Sequence, residues 1–250
     1  MKVISIVNNK GGVGKTTTTH NLGVAIAKQG YQVALIDFDA QANLSFALQH
    51  EPKKYLEDII QSGGKLTKED FSSTNVEGLY LLPNRNQITS STFEGMNPLK
   101  KVNFLKTALT TLKDIDFVLI DTPPDLDIEV FASLGASSHV LIVIEYAPFA
   151  LLGITKLLEN VEDVKTSGIN PDLEILGVLA TKVDQRMSLN QDIESSLQET
   201  FKKKILKSKI RTSSKFDQAQ SDRQNIFDFG DPKGSEDYQN LALEILAKLK

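Results

Sequence analysis

The 250 residues include no cysteine, which excludes disulfides, thiolate zinc sites and iron–sulfur clusters. No apolar run approaches the ~18 residues that a membrane span needs. Residues 2–7 (KVISIV) are too short for the apolar region of a secretory leader, and no small-residue cleavage site follows them. A cytoplasmic protein is the expectation. Internal repeats, low-complexity segments and linkers are also missing, so a single domain over 1–250 is expected. Hydrophobic residues make up 40% of the chain, enough for a sizeable core, and charged residues make up an ordinary 24%.

The net charge of −4 does not suggest a nucleic-acid binder overall, but its distribution is uneven. Between Lys202 and Arg223 lie eight basic residues (Lys202, Lys203, Lys204, Lys207, Lys209, Arg211, Lys215 and Arg223), opposed only by Asp217 and Asp222. A local excess of six positive charges in an acidic chain asks for a partner.

Near-continuous apolar runs at 2–7, 32–37, 78–82, 116–121, 139–145 and 172–179 read as parallel strands covered on both faces. Helical patterns fall between them, at about 16–29, 98–113, 126–135, 149–167, 188–204 and 235–249. The first stops at Gly30, a usual C-terminal glycine. The alternation predicts an α/β fold: a doubly wound, mostly parallel sheet with helices on both faces. Residues 62–75 and 83–97 are polar and read as surface loops.

Residues 8–17, NNKGGVGKTT, stand between the first strand and the first helix. Gly11, Gly12 and Gly14 let the backbone curl so that successive N–H groups face one concavity, and the helix adds its positive end. Lys15 would reach the β- and γ-phosphates, Thr16 would hold Mg²⁺ through its hydroxyl, and Thr17 would touch the α-phosphate; Val13 completes the loop. This is a P-loop for ATP. Carboxylates at the ends of parallel strands face the ligand crevice. Asp121 fits a metal partner, Asp39 fits the group that orients or deprotonates the attacking water, and Asp37 fits a support for its neighbour.

With KGGVGKTT (10–17), LIDFDAQAN (35–43) and VLIDTPP (118–124) in place, the chain resembles the ParA/MinD superfamily of deviant Walker A ATPases, and looks most like the short Soj-type ParA branch. Weaker matches lie at 150–153 and 231–238. The resemblance covers essentially the whole chain. It implies that Lys10 crosses a dimer interface to contact the nucleotide of the other subunit, so that ATP glues a homodimer, with Gly12 at the close approach of the two loops. It implies a ParB-like or other adaptor that stimulates hydrolysis, a nucleoid-associated location in a prokaryote, and a cargo that is plasmid, chromosome or protein assembly. It places non-specific DNA binding in the basic segment, through Lys209, Arg211, Lys215 and Arg223. Contacts to adenine are expected from Thr181 and Lys182, after a strand end, and from Pro232. Departures from the family pattern are Ala40 for proline, Ala42 for glycine, Glu145 for glutamine, and Ala147 and Leu152 for glutamates.

Two rival readings share the fold. A MinD-like membrane positioner needs a terminal amphipathic extension, whereas residues 237–250 read as a last core helix, so no membrane partner is expected. A small-molecule ATP-dependent ligase would not need Lys10 or the DFDAQAN segment. Reductase and iron–sulfur relatives need cysteines, and a tyrosine-kinase relative needs a tyrosine-rich tail.

Overall fold

A computed structural model describes residues 1–48, 51–85, 96–124, 127–146, 154–184, 195 and 199–250. Among them runs one eight-stranded sheet of β1 (Lys2–Val7), β2 (Val33–Asp37), β3 (Ser72–Ser73), β4 (Leu79–Leu82), β5 (Phe117–Asp121), β6 (His139–Glu145), β7 (Glu174–Val183) and β8 (Ile205–Arg211). Their order is β3-β4-β2-β5-β1-β6-β7-β8. Every pairing is parallel except β3 with β4.

The strands are apolar on both sides because both faces are covered. Ile4 and Ile6 of β1 join one core cluster with Leu22 and Ile26 of α1 (Lys15–Ala27) and with Leu241 and Ile245 of α8 (Pro232–Lys248). On the other face, Ile36 and Ile120 pack with Ile59 of α3 (Leu56–Ser62) and Leu105 of α4 (Pro98–Leu109). Ile142 and Val178 pack on that face with Leu134 of α5 (Ile128–Ala136) and Leu157 of α6 (Ile154–Thr166). The predicted sheet is therefore present, with the covering helices expected at about 16–29, 98–113, 126–135, 149–167 and 235–249. Three short helices add to the predicted set: α2 (Asn43–Ala47), α3 and α7 (Lys215–Ser221).

One further element was not expected, and two expectations need correction. The run of charge that includes Lys207, Lys209 and Arg211 is an edge strand, β8, in which Leu206 and Ile210 are buried while the lysines face outward. Thr181 and Lys182 do not follow a strand end; they lie within β7, which extends to Val183. The loop expected over 62–75 contains β3 and a 3-10 turn, Lys68–Asp70. Most of the helix expected at 188–204 lies outside the described residues, as do Ala147 and Leu152. Glu199–Phe201 are helical and Lys202–Lys204 form a 3-10 turn.

Candidate nucleotide site

The carboxyl ends of the strands meet at one edge. Register places Asp37 beside Asp121, Asp121 beside Ile6, Glu145 beside Thr181, and Val183 beside Arg211. The loop after β1 curls over that edge. Gly12 has φ 72° and Gly14 has φ 94°, a left-handed backbone that side chains disfavour. Gly14 caps α1 with no side-chain hydrogen bond, and the first turn of α1 holds no acidic residue. Its N–H groups are therefore available to an anion. Asn8 ties the loop down: its Nδ2 donates to the Val143 carbonyl at 2.5 Å, and its Oδ1 accepts from Lys10 N at 2.8 Å. Lys15 is buried, with Nζ 3.3 Å from the Lys10 carbonyl, folded back across the loop.

The loop walls one side of a cavity of about 710 Å³. Gly11, Gly12, Val13, Gly14, Lys15, Thr16 and Thr17 all line it, together with Asp39, Thr181 and Lys182. The Thr181 hydroxyl lies 2.7 Å from the Val13 carbonyl, joining β7 to the loop. Lys182 has φ 53°, also left-handed. Pro232 does not line this cavity. It occupies the first turn of α8, after Asp231, whose side chain caps the helix by accepting from Gly234 N at 3.1 Å. Proline's missing N–H costs nothing at that place. The opposite wall is residues 210–214 with Phe216, Asp217, Gln220 and Tyr238, about 200 residues from the loop in sequence, and of these only Tyr238 falls within a family-like stretch.

Three carboxylates cluster at or just past the ends of β2 and β5, and of them Asp39 lines the cavity. Asp37 and Asp121 are fully buried and Asp39 nearly so. Burial pushes the Asp37 carboxyl up to about 6, against the hydrogen bonds from Ser45. Burial and then the Asp37 charge push Asp121 well above the ordinary range, partly offset by the Thr16 hydroxyl and Lys15. Thr19 donates to Asp121 Oδ1 at 3.3 Å, while Oδ2 is buried with no hydrogen-bond partner among the described residues. An orphaned oxygen beside the Thr16 hydroxyl, in a cluster of negative charge, fits a hydrated divalent cation.

Lys10 does not point into its own cavity floor. Its Nζ forms a 2.5 Å ion pair with Glu145 Oε2, at 65% and 29% side-chain exposure. That contact holds the Glu145 carboxyl below its usual range. Ala42 is left-handed at φ 53°, which gives a physical reason for the glycine of the family pattern and a strain of ~1 kcal/mol for alanine here.

The basic segment is partly neutralised within the chain. Arg211 Nη2 lies 2.7 Å from Asp237 Oδ1 and 2.8 Å from Glu236 Oε2, and also donates to the Lys233 carbonyl at 2.9 Å. These acids raise the Arg211 guanidinium further above its ordinary range. Glu244 accepts from the N–H groups of Lys207 and Ser208 at 2.9 and 2.8 Å, covering part of the sheet edge. Three carboxylates of α8 thus lie against the segment, reducing its excess of six positive charges to three. Arg223 donates to the Phe46 carbonyl at 2.8 Å and stacks on the Phe46 ring. Arg211 and Arg223 therefore act first as fastenings. Lys209 lies over the Tyr146 ring, and Lys215 is exposed at the start of α7, over Phe229.

Known proteins resemble this chain along its length. The family model described as an AAA domain matches residues 1–175. The "Chromosome-partitioning ATPase Soj" of Treponema pallidum is 34% identical, covering 99% of this chain and 98% of that protein. The "Sporulation initiation inhibitor protein Soj" of Bacillus subtilis is 34% identical over 98% of each. Among solved structures, cobyrinic acid a,c-diamide synthase from Mycobacterium smegmatis with bound ADP and magnesium superposes with a TM-score of 0.83 at 26% identity, covering 100% of this chain and 95% of that one.

Proposed function

This chain belongs to the ParA/MinD-type ATPases of the AAA-domain family, close to Soj-type ParA, and from that premise we propose that ATP joins two copies into a dimer that binds DNA without sequence preference and positions a cargo. Its reaction is hydrolysis of ATP to ADP and phosphate, with Mg²⁺ as cofactor. The observation that carries the reading is the convergence of the uncapped start of α1, buried Lys15 and Asp39 on one cavity, with the orphaned Asp121 oxygen at the end of β5.

In this reading the N–H groups of residues 11–17 bind the phosphates and Lys15 faces the terminal ones. Thr16 would hold the cation through its hydroxyl, and Asp121 would hold it through its bound water. Mg²⁺, when bound, draws charge from the phosphate oxygens. Asp39 orients the attacking water or takes its proton. Lys10 leaves Glu145 and reaches the partner's nucleotide, so association and ATP sensing become one event. Thr181 and Lys182 face the base or ribose from the far side of the loop.

The DNA face is the outer side of β8 and α7. Lys203, Lys207 and Lys215 are exposed there, and Lys209 lies between them. Residues 210–214, Phe216 and Asp217 also wall the nucleotide cavity, so bound ATP and the basic surface share one piece of backbone. Pairing two such faces raises affinity through effective concentration. A ParB-like or other adaptor would stimulate hydrolysis, at a nucleoid-associated location. Among the described residues no helix is long and apolar enough to cross a membrane.

The test is light scattering together with DNA titration, in ATP and in ADP. Dimers and salt-sensitive DNA binding in ATP alone are expected. A monomer in ATP refutes the sandwich. An ATP dimer indifferent to DNA at low salt refutes the DNA face.

A further inference from the structure

We propose that Ser45 and Asn84 are positioning residues for Asp39, closing with Asp37 a buried ring of hydrogen bonds that fixes the direction of the Asp39 carboxylate. The proposal rests on the reading of Asp39 as the group that handles the attacking water.

Asp39 lies two residues beyond β2, where no ladder hydrogen bond holds it, so something else must fix the turn. Asp39 N donates to Asp37 Oδ1 at 3.2 Å. Asp37 Oδ2 accepts from Ser45 N at 2.7 Å and from Ser45 Oγ at 2.6 Å. Ser45 Oγ in turn accepts from Asn84 N at 2.9 Å. Asn84 Nδ2 donates to the Asp39 carbonyl at 3.0 Å, which completes the circuit. All four residues are buried, between 0% and 7% exposed. The ring joins three separate pieces of chain: the end of β2, the short helix α2, and the segment just past β4.

Two further bonds act on the same turn. Ala42 N donates to the Asp39 carbonyl at 2.9 Å, and Gln41 N donates to Asp39 Oδ1 at 2.9 Å. One carboxylate oxygen is thereby anchored, on a residue that lines the cavity. A buried polar ring is costly unless every member is satisfied, and apolar side chains could fill the same space more cheaply. What a polar ring provides is direction. A group that must meet a water molecule at a set angle needs direction more than packing.

The experiment compares the full chain with Ser45→Ala, Ser45→Thr, Asn84→Ala, Asn84→Ser and Asp39→Ala. Steady-state hydrolysis of Mg²⁺·ATP, ATP affinity and melting temperature are measured on each. Ser45→Ala and Asn84→Ala are expected to lower kcat about tenfold, with KM and ATP affinity within about twofold of wild type. Ser45→Thr keeps a hydroxyl and is expected to restore most of the rate. Wild-type kcat in both alanine variants overturns the proposal. So does a loss of melting temperature and ATP affinity with kcat unchanged, the result of a merely structural ring. If the alanine variants do not fold, Asn84→Ser, which removes the amide donor to the Asp39 carbonyl, carries the same kcat-against-KM comparison, and wild-type kcat in it overturns the proposal equally. Undiminished hydrolysis by Asp39→Ala removes the premise instead. That failure is told apart because it is read on Asp39 itself.

Discussion

The phosphate loop and the basic edge strand are both marked plainly in the sequence, yet they behave differently once folded. In the loop, residue types and spacing carry their own geometry. Gly12 and Gly14 adopt left-handed backbone, α1 starts uncapped, and Lys15 lies across the opening. In the edge strand, spacing carries no such instruction. Arg211 is taken by Asp237 and Glu236, Arg223 by Phe46, and the backbone of residues 207–208 by Glu244. A loop motif fixes its chemistry through local backbone, whereas a charge is defined by whatever the fold brings to it.

The sharpest way to break this contrast is Lys15→Ala. Loss of the buried cation should abolish measurable ATP binding by calorimetry, because phosphate charge loses its main counterpart. Binding at wild-type strength would mean that the loop's chemistry is not local after all.

Gly12→Val comes next. A Cβ at Gly12 meets nothing within 4 Å in its own chain. The variant should fold and bind nucleotide, with φ-strain of ~1–2 kcal/mol, yet fail to dimerise in ATP because the obstruction lies between subunits. A dimer by light scattering would remove Gly12 from the interface.

The two basic positions should then separate by kind of effect. Arg211→Ala leaves nearly buried Asp237 without its partner and should cost about 2 kcal/mol in a denaturant midpoint analysis. Lys215→Ala should leave that midpoint unchanged while weakening DNA binding a few-fold on all sequences. It should also lower the salt slope by roughly 0.9 for each phosphate that Lys215 neutralises. Matching behaviour in the two variants would erase the distinction between fastening and DNA-facing charge.

The smallest effect is expected at Glu145. Its pair with Lys10 is exposed, of a kind worth about 0.2–1 kcal/mol. Glu145→Gln frees Lys10 for the partner's nucleotide and should shift the ATP-dependent dimerisation midpoint to lower protein concentration by no more than about fivefold. A weaker dimer would show that Glu145 supports association instead of competing with it.

What can be read in advance follows the same division. The β1, β2, β5 and β6 runs are continuous in sequence because each is covered on both faces, and their predicted ends fall within a residue of the observed ones. The pattern of β8 is not legible in that way, because Lys207, Lys209 and Arg211 interrupt its apolar residues at an exposed edge. The far wall of the cavity, residues 210–214 with Phe216, Asp217 and Gln220, is also absent from any local motif.

By itself the sequence determined the order of the six apolar strands and of the longer helices described between them, the phosphate loop and the acidic strand ends, since hydrophobic period, glycine conformation and strand polarity are local properties. Only the tertiary structure decided that Ser45 and Asn84 close a ring on Asp39, that Lys10 rests on Glu145, and that α8 draws carboxylates against the basic strand. Those contacts join residues as many as 135 positions apart, and whether a charge or an amide is occupied depends on neighbours that only the packed sheet supplies.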